Sequence, residues 1–295
     1  MAEANRDVAL FAGALGDFLL ALPALRLLAR REGPLVLAVR RPLEALAAAT
    51  GCAERVTALD DREMASFLGG GAAPSWWPHR PRVTAWFGAA DAGLRARLAA
   101  ASRDVRWLRV ERGPGAQHAA LAYAAAVGAA IDWPTAVAIA GVEVPIAAAD
   151  PALLVVHQGA GNRAKRWHGA GHAAVVRWWR SRGGAVAELR GDVEQEEALP
   201  PLPGAEPIEG RPVLEVAGVL ARARAYVGHD TGPSHLASSV GVPGLVLFGP
   251  TDPARWRPLG EHLRVLRAPA AACTTTGFAA PSAATVIALL NALQP

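Results

Sequence analysis

Apolar and polar positions alternate along the chain between two kinds of segment. Short continuous apolar runs predict buried strands, and longer segments whose apolar residues recur with helical spacing follow them. In the first half, the predicted strands are residues 8–12, 35–39 and 83–87, and the predicted helices are residues 17–31, 42–50 and 92–101. Strands that alternate with helices in this way are typical of a parallel sheet.

The second half of the chain repeats the same alternation. Its predicted strands are residues 153–156, 185–189, 225–227 and 245–248, and its predicted helices are residues 170–182, 212–221, 232–240 and 282–293. A connection rich in proline and alanine, residues 144–151, separates the halves. We therefore expect an α/β chain with two Rossmann-like domains facing a cleft. The domains are residues 1–147 and 148–280, and the last helix, within residues 281–295, is expected to pack on the first domain.

Length and composition agree with two packed domains. The chain has 295 residues, of which 52% are hydrophobic and 19% are charged, which excludes a disordered protein. The longest uncharged apolar stretch, residues 119–131, is shorter than the ~18 residues of a membrane span. Two distant cysteines, Cys52 and Cys273, suggest neither a disulfide framework nor a zinc site. We expect a cytoplasmic protein without a metal.

The formal net charge of +4 is small, and no dense stripe of basic residues accompanies it. Nucleic acid is therefore not expected as a partner, and an anionic small substrate fits the charge better. The arginines of the first half together favour an acidic acceptor. They are Arg80, Arg82, Arg95, Arg97, Arg103, Arg106 and Arg109.

The first candidate motif is the turn Gly13-Ala14-Leu15-Gly16-Asp17, between a predicted strand and a predicted helix. Glycines such as Gly16 let the backbone approach a ligand. Asp17 has two interpretations: an aspartate that caps its helix, or a general base that accepts the proton of a hydroxyl. The residues of the turn leave both interpretations open.

The second candidate motif follows the strand at 153–156 and runs from His157 to Trp167. Gly159 and Gly161 suit a loop that wraps an anion, and Lys165 is the only lysine of the chain. An ammonium is a compact point charge, so Lys165 is a candidate for binding a diphosphate; the alternative is a lysine on a solvated loop. His157 is interpreted as a hydrogen-bonded residue at the strand end.

The third motif, residues 229–237, reads H-D-T-G-P-S-H-L-A and leads from a strand into a helix. We interpret Asp230 as the N-cap of this helix, with free amides of Thr231 and Gly232 pointing at an anion. Asp230, Ser234 and His235 lie too close together for a catalytic triad, and no G-x-S-x-G elbow is present.

Two further loops follow strands of the second half. Thr251, in the segment F-G-P-T-D-P, is a candidate for touching a phosphate, although an ordinary turn also explains the segment. The segment 188–197 ends a strand with an acidic cluster, which suits the binding of ribose hydroxyls, or equally the start of a solvated helix.

Four motifs of the chain together resemble those of the heptosyltransferases of glycosyltransferase family nine. They are G-x-x-G-D followed by L-P-A-L at residues 22–25, H-x-G-A-G with K-x-W, D-T-G-P-S-H-L-A, and F-G-P-T-D-P. The resemblance implies the GT-B architecture of two Rossmann-like domains. It also assigns Asp17 as general base and Lys165 as the phosphate-binding lysine. It places Asp230, Thr231, Gly232 and His235 in the nucleotide-diphosphate loop. It places the ribose-binding glutamate within residues 194–196, of which Glu196 is favoured. One difference is His168, where members usually carry proline after the tryptophan.

The resemblance further implies an inverting, metal-independent transfer of heptose from ADP-heptose to the lipopolysaccharide core, without a cofactor. The expected partners are ADP-heptose or a related nucleotide sugar and an acidic glycolipid acceptor. A peripheral contact with the inner face of the cytoplasmic membrane is left open. The alternatives are another nucleotide sugar or acceptor, a nucleotide-sugar epimerase, and a non-catalytic nucleotide-sugar-binding protein.

Overall fold

The computed structural model of the chain describes residues 6–33, 35–110, 115–145 and 148–293. The chain divides into two compact units, Met1–Ala140 and Gly141–Pro295. This division falls seven residues before the boundary expected after residue 147. Residues 146 and 147, which border the expected boundary, lie outside the described residues.

The first unit is built on a parallel sheet of five strands in the order β3-β2-β1-β4-β5. The strands are β1 Asp7–Leu10, β2 Leu35–Val39, β3 Arg55–Ala58, β4 Arg82–Ala85 and β5 Asp104–Trp107. The helices are α1 Leu15–Glu32, α2 Glu44–Ala49, α3 Arg62–Gly69, α4 Ala92–Ala101, α5 Ala119–Ala126 and α6 Trp133–Ala138. Strand order reverses between β1 and β4, so the loop after β1 lies at a topological switch point, where open α/β sheets bind ligands.

Burial explains why the central strands form. β1 and β2 are buried along their whole lengths, as a strand covered by helices on both faces must be. Val8 and Leu10 pack with Phe67 and Leu98 in one hydrophobic cluster of this unit. Helix α1 buries Phe18, Leu22 and Leu25 among its apolar residues. This packing fixes the start of α1, and therefore Asp17, at the carboxyl edge of the sheet.

The second unit contains a parallel sheet of six strands in the order β11-β10-β9-β6-β7-β8. Its strands are β6 Asp150–Val156, β7 Ala185–Arg190, β8 Glu206–Glu209, β9 Ala223–His229, β10 Gly244–Phe248 and β11 Leu263–Arg267, followed by the hairpin β12 Cys273–Thr274 and β13 Gly277–Phe278. Its helices are α7 Gly169–Ser181, α8 Asp192–Glu196, α9 Val213–Arg222, α10 Gly232–Ser239, α11 Pro253–Trp256 and α12 Ala283–Ala292. This strand order is that of a Rossmann sheet, with its switch point between β6 and β9.

The last helix corrects one expectation. α12 was expected to pack on the first domain, but it packs against α7 and β10 of the second unit. Val286 and Leu290 are buried in the hydrophobic cluster that also holds Val175 and Leu247. The reason is that the apolar face of α12 covers one side of the second sheet.

Candidate functional site

The candidate site of the second unit forms where β6, β7 and β9 end. Since the carboxyl ends of parallel strands meet at one edge of a sheet, the loops after these strands lie side by side. The loop after β6 carries His157, Gly159 and Lys165, and the turn after β9 carries Asp230 and Thr231. The switch point between β6 and β9 therefore brings together two motifs that are about 65 residues apart in the chain.

Lys165 and Asp230 form the charged centre of this edge. The Lys165 Nζ lies 2.8 Å from Asp230 Oδ2, and His235 Nε2 lies 3.8 Å from Asp230 Oδ1. Burial of Asp230 opposes its ionisation, but the hydrogen bond of His235 and the charge of Lys165 hold the pKa of Asp230 below its ordinary value. Asp230 is thus an anion that holds the Lys165 ammonium in place at the edge.

The start of α10 differs from the expectation. The N-cap of α10 is Thr231 rather than Asp230, and no side chain caps the helix. The amide of Thr231 is not free either, because it donates to the carbonyl of His229 at 2.8 Å. Among the described residues, the amide of Gly232 has no acceptor. Only one of the two expected donors therefore remains for an anion at this helix start.

A second group of contacts joins the ends of β6 and β7. His157 Nε2 lies 3.1 Å from Glu194 Oε1, and His157 Nδ1 lies 3.2 Å from Thr231 Oγ1. Glu194 Oε2 also accepts the amide of Gly191 at 2.9 Å. Burial alone would raise the pKa of Glu194, but the hydrogen bond and charge of His157, together with the Gly191 amide, lower it to about 2.

The structure distinguishes the two glutamates near the ribose-binding position. Glu194 is buried at the edge of the site, whereas Glu196 is exposed on α8. The assignment of Glu196 to the ribose stays a prediction, and Glu194 was the less favoured residue of the expected range 194–196. The signal that could have found it is the capping position three residues after Gly191, which turns Glu194 inward.

The two glycines of the loop after β6 have different surroundings. A Cβ added to Gly159 would collide with the carboxylate of Glu194, whereas one added to Gly161 would meet no atom within 4 Å. Gly159 is therefore required by close packing. Gly161 is not constrained in this way and remains a predicted contact to the ligand.

Arg166 is a site residue that the sequence did not single out. Its guanidinium donates to the carbonyl of Ala160 from Nε at 2.9 Å and from Nη2 at 2.6 Å. The same group binds the carboxylate of Glu197 at 2.7 and 2.9 Å. Arg166 therefore fastens the glycine loop to the end of α8 in the fork geometry that arginine favours.

Behind this loop, aromatic and histidine rings are packed together. His229 Nε2 accepts the amide of Trp167 at 2.9 Å. The ring of His172 packs edge-on to those of Trp167 and His229, and among the described residues neither nitrogen of His172 has a hydrogen-bond partner. Burial lowers the pKa of both histidines, that of His172 to about 3, so both rings are neutral near pH 7. His168, which replaces the family's proline, caps α7 by accepting the amide of Gly171.

Asp17 and Gly16 lie in the first turn of α1 in the first unit. The N-cap of α1 is Ala14, so the alternative that Asp17 caps this helix is wrong. Tyr123 donates its hydroxyl to Asp17 Oδ1 at 3.4 Å. Asp17 is half-buried and Tyr123 is buried, and a carboxylate in the first turn is favoured by the helix dipole.

Two other predictions from the sequence concern Thr251 as a phosphate contact and the arginines of the first unit as contacts to an acidic acceptor. Thr251 follows β10, and its hydroxyl is buried without a hydrogen-bond partner in the described part of the chain. Among the arginines expected to face an acidic acceptor, three are in ion pairs of the first unit: Arg103 with Asp7 at 3.2 Å, Arg106 with Glu32 at 3.2 Å, and Arg82 with Glu32. Their charge is largely neutralised by these pairs.

Among the described residues, no group of three or more histidine, cysteine, aspartate or glutamate side chains could hold a metal ion. Within the same ranges, no helix has the length and hydropathy needed to cross a bilayer.

Similarity to known proteins is found at three levels. Residues 118–280 match the family model of glycosyltransferase family 9 (heptosyltransferase). Lipopolysaccharide heptosyltransferase 1 of Pseudomonas aeruginosa is 49% identical over 63 residues, and that of Escherichia coli K12 is 44% identical over 54 residues. These matches cover 20% and 18% of this chain, but only 18% and 17% of the relatives, so they span about a fifth of each curated relative.

Solved structures are similar over nearly the whole chain. A family 9 glycosyltransferase from Veillonella parvula has a TM-score of 0.76 and 17% identity, covering 98% of this chain and 97% of its own. E. coli ADP-heptose lps heptosyltransferase II has a TM-score of 0.71 and 17% identity, with 97% and 98% covered. E. coli heptosyltransferase WaaC, solved with ADP, has a TM-score of 0.70 and 17% identity, with 98% and 99% covered.

At 17% identity these structures establish the fold, which is the expected GT-B class with two Rossmann-like domains. The family rests on the family model, which covers more than half of the chain and spans the loops after β6, β7 and β9. The resemblance drawn from the sequence motifs is thereby confirmed. The chain belongs to glycosyltransferase family 9, the heptosyltransferase family.

Proposed function

We propose that this chain transfers a heptose from ADP-heptose to a lipopolysaccharide core acceptor, with inversion at the anomeric carbon. The observation that carries the proposal is the ion pair of Lys165 and Asp230 at the start of α10, where the amide of Gly232 has no acceptor among the described residues. A cation and a helix N-terminus at this place suit a diphosphate. Family membership supports glycosyl transfer as the chemistry.

The second unit is proposed to bind the donor. Lys165 and the start of α10 would stabilise the negative charge that grows on the departing ADP. A similar structure that was solved with ADP supports a nucleoside diphosphate as the ligand. Further proposed contacts to the donor come from residues around the same edge. They are Gly159, Gly161, Glu196, Thr231, His235 and Thr251.

The first unit is proposed to bind the acceptor and to supply the base. Asp17 takes the proton of the acceptor hydroxyl while that oxygen forms a bond to the anomeric carbon. The bond from this carbon to the diphosphate breaks, and ADP leaves with the electron pair. Tyr123, which donates to Asp17, orients the carboxylate, and Gly16 lets the ligand approach.

We also propose an acidic glycolipid as the acceptor and a place of action at the inner face of the cytoplasmic membrane. The positive net charge supports an anionic acceptor. Transfer is proposed to proceed without a divalent metal, because Lys165 and the Gly232 amide supply the positive charge at the diphosphate. Activity should therefore be unchanged after treatment with EDTA.

The test is an assay of ADP release and glycan product with ADP-heptose and a lipopolysaccharide core acceptor. We expect Asp17→Asn to lower kcat at least about 100-fold, since general-base catalysis typically contributes that much or more. ADP affinity should be unchanged. The matched control is Asp91→Asn, because Asp91 caps α4 and asparagine caps a helix equally well.

Three other results of these assays would contradict parts of the proposal. Undiminished transfer by Asp17→Asn would show that Asp17 is not the base. Consumption of ADP-heptose by the wild type without an acceptor would indicate hydrolysis or isomerisation instead of transfer. Binding of several nucleotide sugars with equal thermal shifts would contradict the choice of donor.

A further inference from the structure

The described part of the second unit contains a chain of close polar contacts through Thr231, His157 and Glu194, of which the proposed mechanism uses only Thr231. It runs from Thr231 Oγ1 to His157 Nδ1 at 3.2 Å, and from His157 Nε2 to Glu194 Oε1 at 3.1 Å. His157 is 7% exposed and Glu194 is 1% exposed, so the chain is shielded from water apart from its Thr231 end. That end lies at the start of α10, where the diphosphate is proposed to bind.

The position of Thr231 makes this arrangement unusual. A threonine at an N-cap normally accepts a hydrogen bond from an amide in the first turn of its helix. The Thr231 hydroxyl makes no such bond, and it lies next to His157 instead. The hydroxyl has two acceptors within reach, His157 Nδ1 at 3.2 Å and, at the longer distance of 3.5 Å, the carbonyl oxygen of His229. His157 is the nearer of the two, so its protonation state sets which way the hydroxyl proton points.

Two protonation states of His157 have opposite effects on Thr231. If His157 is neutral and donates Nε2–H to Glu194, its Nδ1 is an acceptor and takes the hydroxyl proton of Thr231. Thr231 then presents only lone pairs to an anion, which is unfavourable. If His157 is doubly protonated, Nδ1–H donates to Thr231 Oγ1, and the hydroxyl proton is free to donate to a phosphate oxygen.

The charges around His157 favour the second state once an anion is bound. Three titratable groups interact with His157: Glu194 on α8, His172 on α7 and His229 on β9. Farther along the same edge lie Glu188 and Arg190 on β7 and the pair of Lys165 and Asp230. Arg190 pairs with Glu188 at 3.1 Å and with Glu209 at 2.5 Å. Both buried histidines are neutral, because burial lowers their pKa values. Glu194 is therefore the anion in contact with His157, and an imidazolium at His157 would pair with it.

We propose that His157 is a positioning residue that takes up a proton when a diphosphate binds, and so turns the Thr231 hydroxyl into a donor to the ligand. The proton comes from solvent and goes to His157 Nδ1, while the hydroxyl proton rotates from Nδ1 to a phosphate oxygen. No covalent bond is made or broken. This inference rests on the proposed function, because it requires a nucleoside diphosphate at the start of α10.

The experiment measures ADP binding by calorimetry in two buffers of different ionisation enthalpy, at about pH 8, where the ADP phosphates are fully ionised. We expect the wild type to take up as much as about one proton per ADP, and its affinity to fall about tenfold per pH unit at alkaline pH. A purely structural role of His157 would produce neither the uptake nor this slope.

Two substitutions of His157 separate its two contacts. The amide nitrogen of asparagine occupies the place of Nδ1 and always donates, so His157→Asn should bind ADP without proton uptake and with an affinity independent of pH. The amide nitrogen of glutamine occupies the place of Nε2, so His157→Gln keeps a partner for Glu194 but should bind ADP more weakly. The exposed His79 of the first unit provides the control, His79→Asn, in which uptake should be unchanged.

A second pair of substitutions, at Thr231, tests the hydroxyl without replacing the buried ring of His157. Thr231→Val removes the hydroxyl at nearly constant shape and should abolish proton uptake, whereas Thr231→Ser should retain it. Thr231 is half-buried, so both variants are expected to fold, and thermal melting checks this.

The possible results separate this inference from the proposed function. If the wild type binds ADP and transfers heptose but shows no buffer-dependent heat, the proton uptake is refuted and the transferase remains. Uptake that persists in Thr231→Val or His157→Asn refutes it equally. If the wild type binds no ADP at all, both the donor site and this inference are wrong.

Discussion

His172 shows what burial does to a single titratable side chain. It is fully buried, its ring nitrogens have no partner among the described residues, and burial lowers its pKa to about 3 from an ordinary value of 6.5. Below pH 6.5 the unfolded chain binds a proton at this position, but the folded chain does not until about pH 3. Stability is therefore lost as the pH falls through this window.

The first prediction concerns this loss. Replacing His172 by leucine, which has a similar volume, should make the urea midpoint less sensitive to acid. Between pH 8 and pH 5 the wild type should lose about 2 kcal/mol more than His172→Leu, at about 1.4 kcal/mol per pH unit below pH 6.5. Urea unfolding at several pH values measures the difference. Parallel pH profiles of the two proteins would contradict it, and His79→Asn should behave as the wild type.

The second prediction compares two glycines of one loop. In Gly159→Ala the new methyl group collides with the Glu194 carboxylate, which Gly191 and His157 hold in place, so ADP affinity and stability should both fall. We expect a loss of about 1–3 kcal/mol, as for other overpacked sites. Gly161→Ala has open space and should change stability by less than about 0.5 kcal/mol. Equal effects of the two substitutions on the urea midpoint would show that the packing around Gly159 is not decisive.

The glutamates of α8 show why single residues of the site escaped prediction. Residues three apart lie on one helix face, so Glu194 and Glu197 both turn toward the site, where they meet His157 and Arg166. Glu196 lies on another face and is exposed. The run of acidic residues in the sequence does not indicate which face is inward, because that depends on where α8 begins.

Among the elements, the strands divide clearly by their place in the sheet. The sequence predicted all seven inner strands of the two described parallel sheets, and it missed β3, β5, β8 and β11, which are the four edges. Inner strands are covered on both faces and are read as apolar runs. Edge strands carry charged residues, as in Asp104–Trp107 and Glu206–Glu209, because one side meets solvent.

Helix α12 carries the third prediction. Leu290 is 1% exposed in the cluster formed with α7 and β10, so Leu290→Ala should destabilise the second unit by about 2–5 kcal/mol. The exposed Asn291 on the same helix provides the control, since Asn291→Ala should cost less than about 0.5 kcal/mol. Urea unfolding distinguishes them. An unchanged midpoint for Leu290→Ala would contradict the docking of α12 on this sheet.

On the scale of the whole molecule, each unit has its own buried cluster, one containing Leu10 and the other containing Leu290. We therefore predict that Leu290→Ala raises amide hydrogen exchange in the elements of residues 141–293 and leaves β1, β2 and β4 unchanged. Exchange followed by mass spectrometry of peptides measures this. Leu10→Ala should give the converse pattern, and a rise over both units in either variant would mean that the chain unfolds as one cooperative body.

The sequence by itself determined the βα alternation, the two sheets and the motifs at the strand ends, because these depend on local apolar patterns and on short spacings. It also determined the family, through four motifs in order along the chain. Only the tertiary structure decided which partners these motifs meet: Lys165 with Asp230, His157 with Glu194 and Thr231, and α12 with the second sheet. The residues of the first two groups lie far apart in the chain, and strand order brings them to one edge of the sheet, whereas α12 packs on the side of the same sheet.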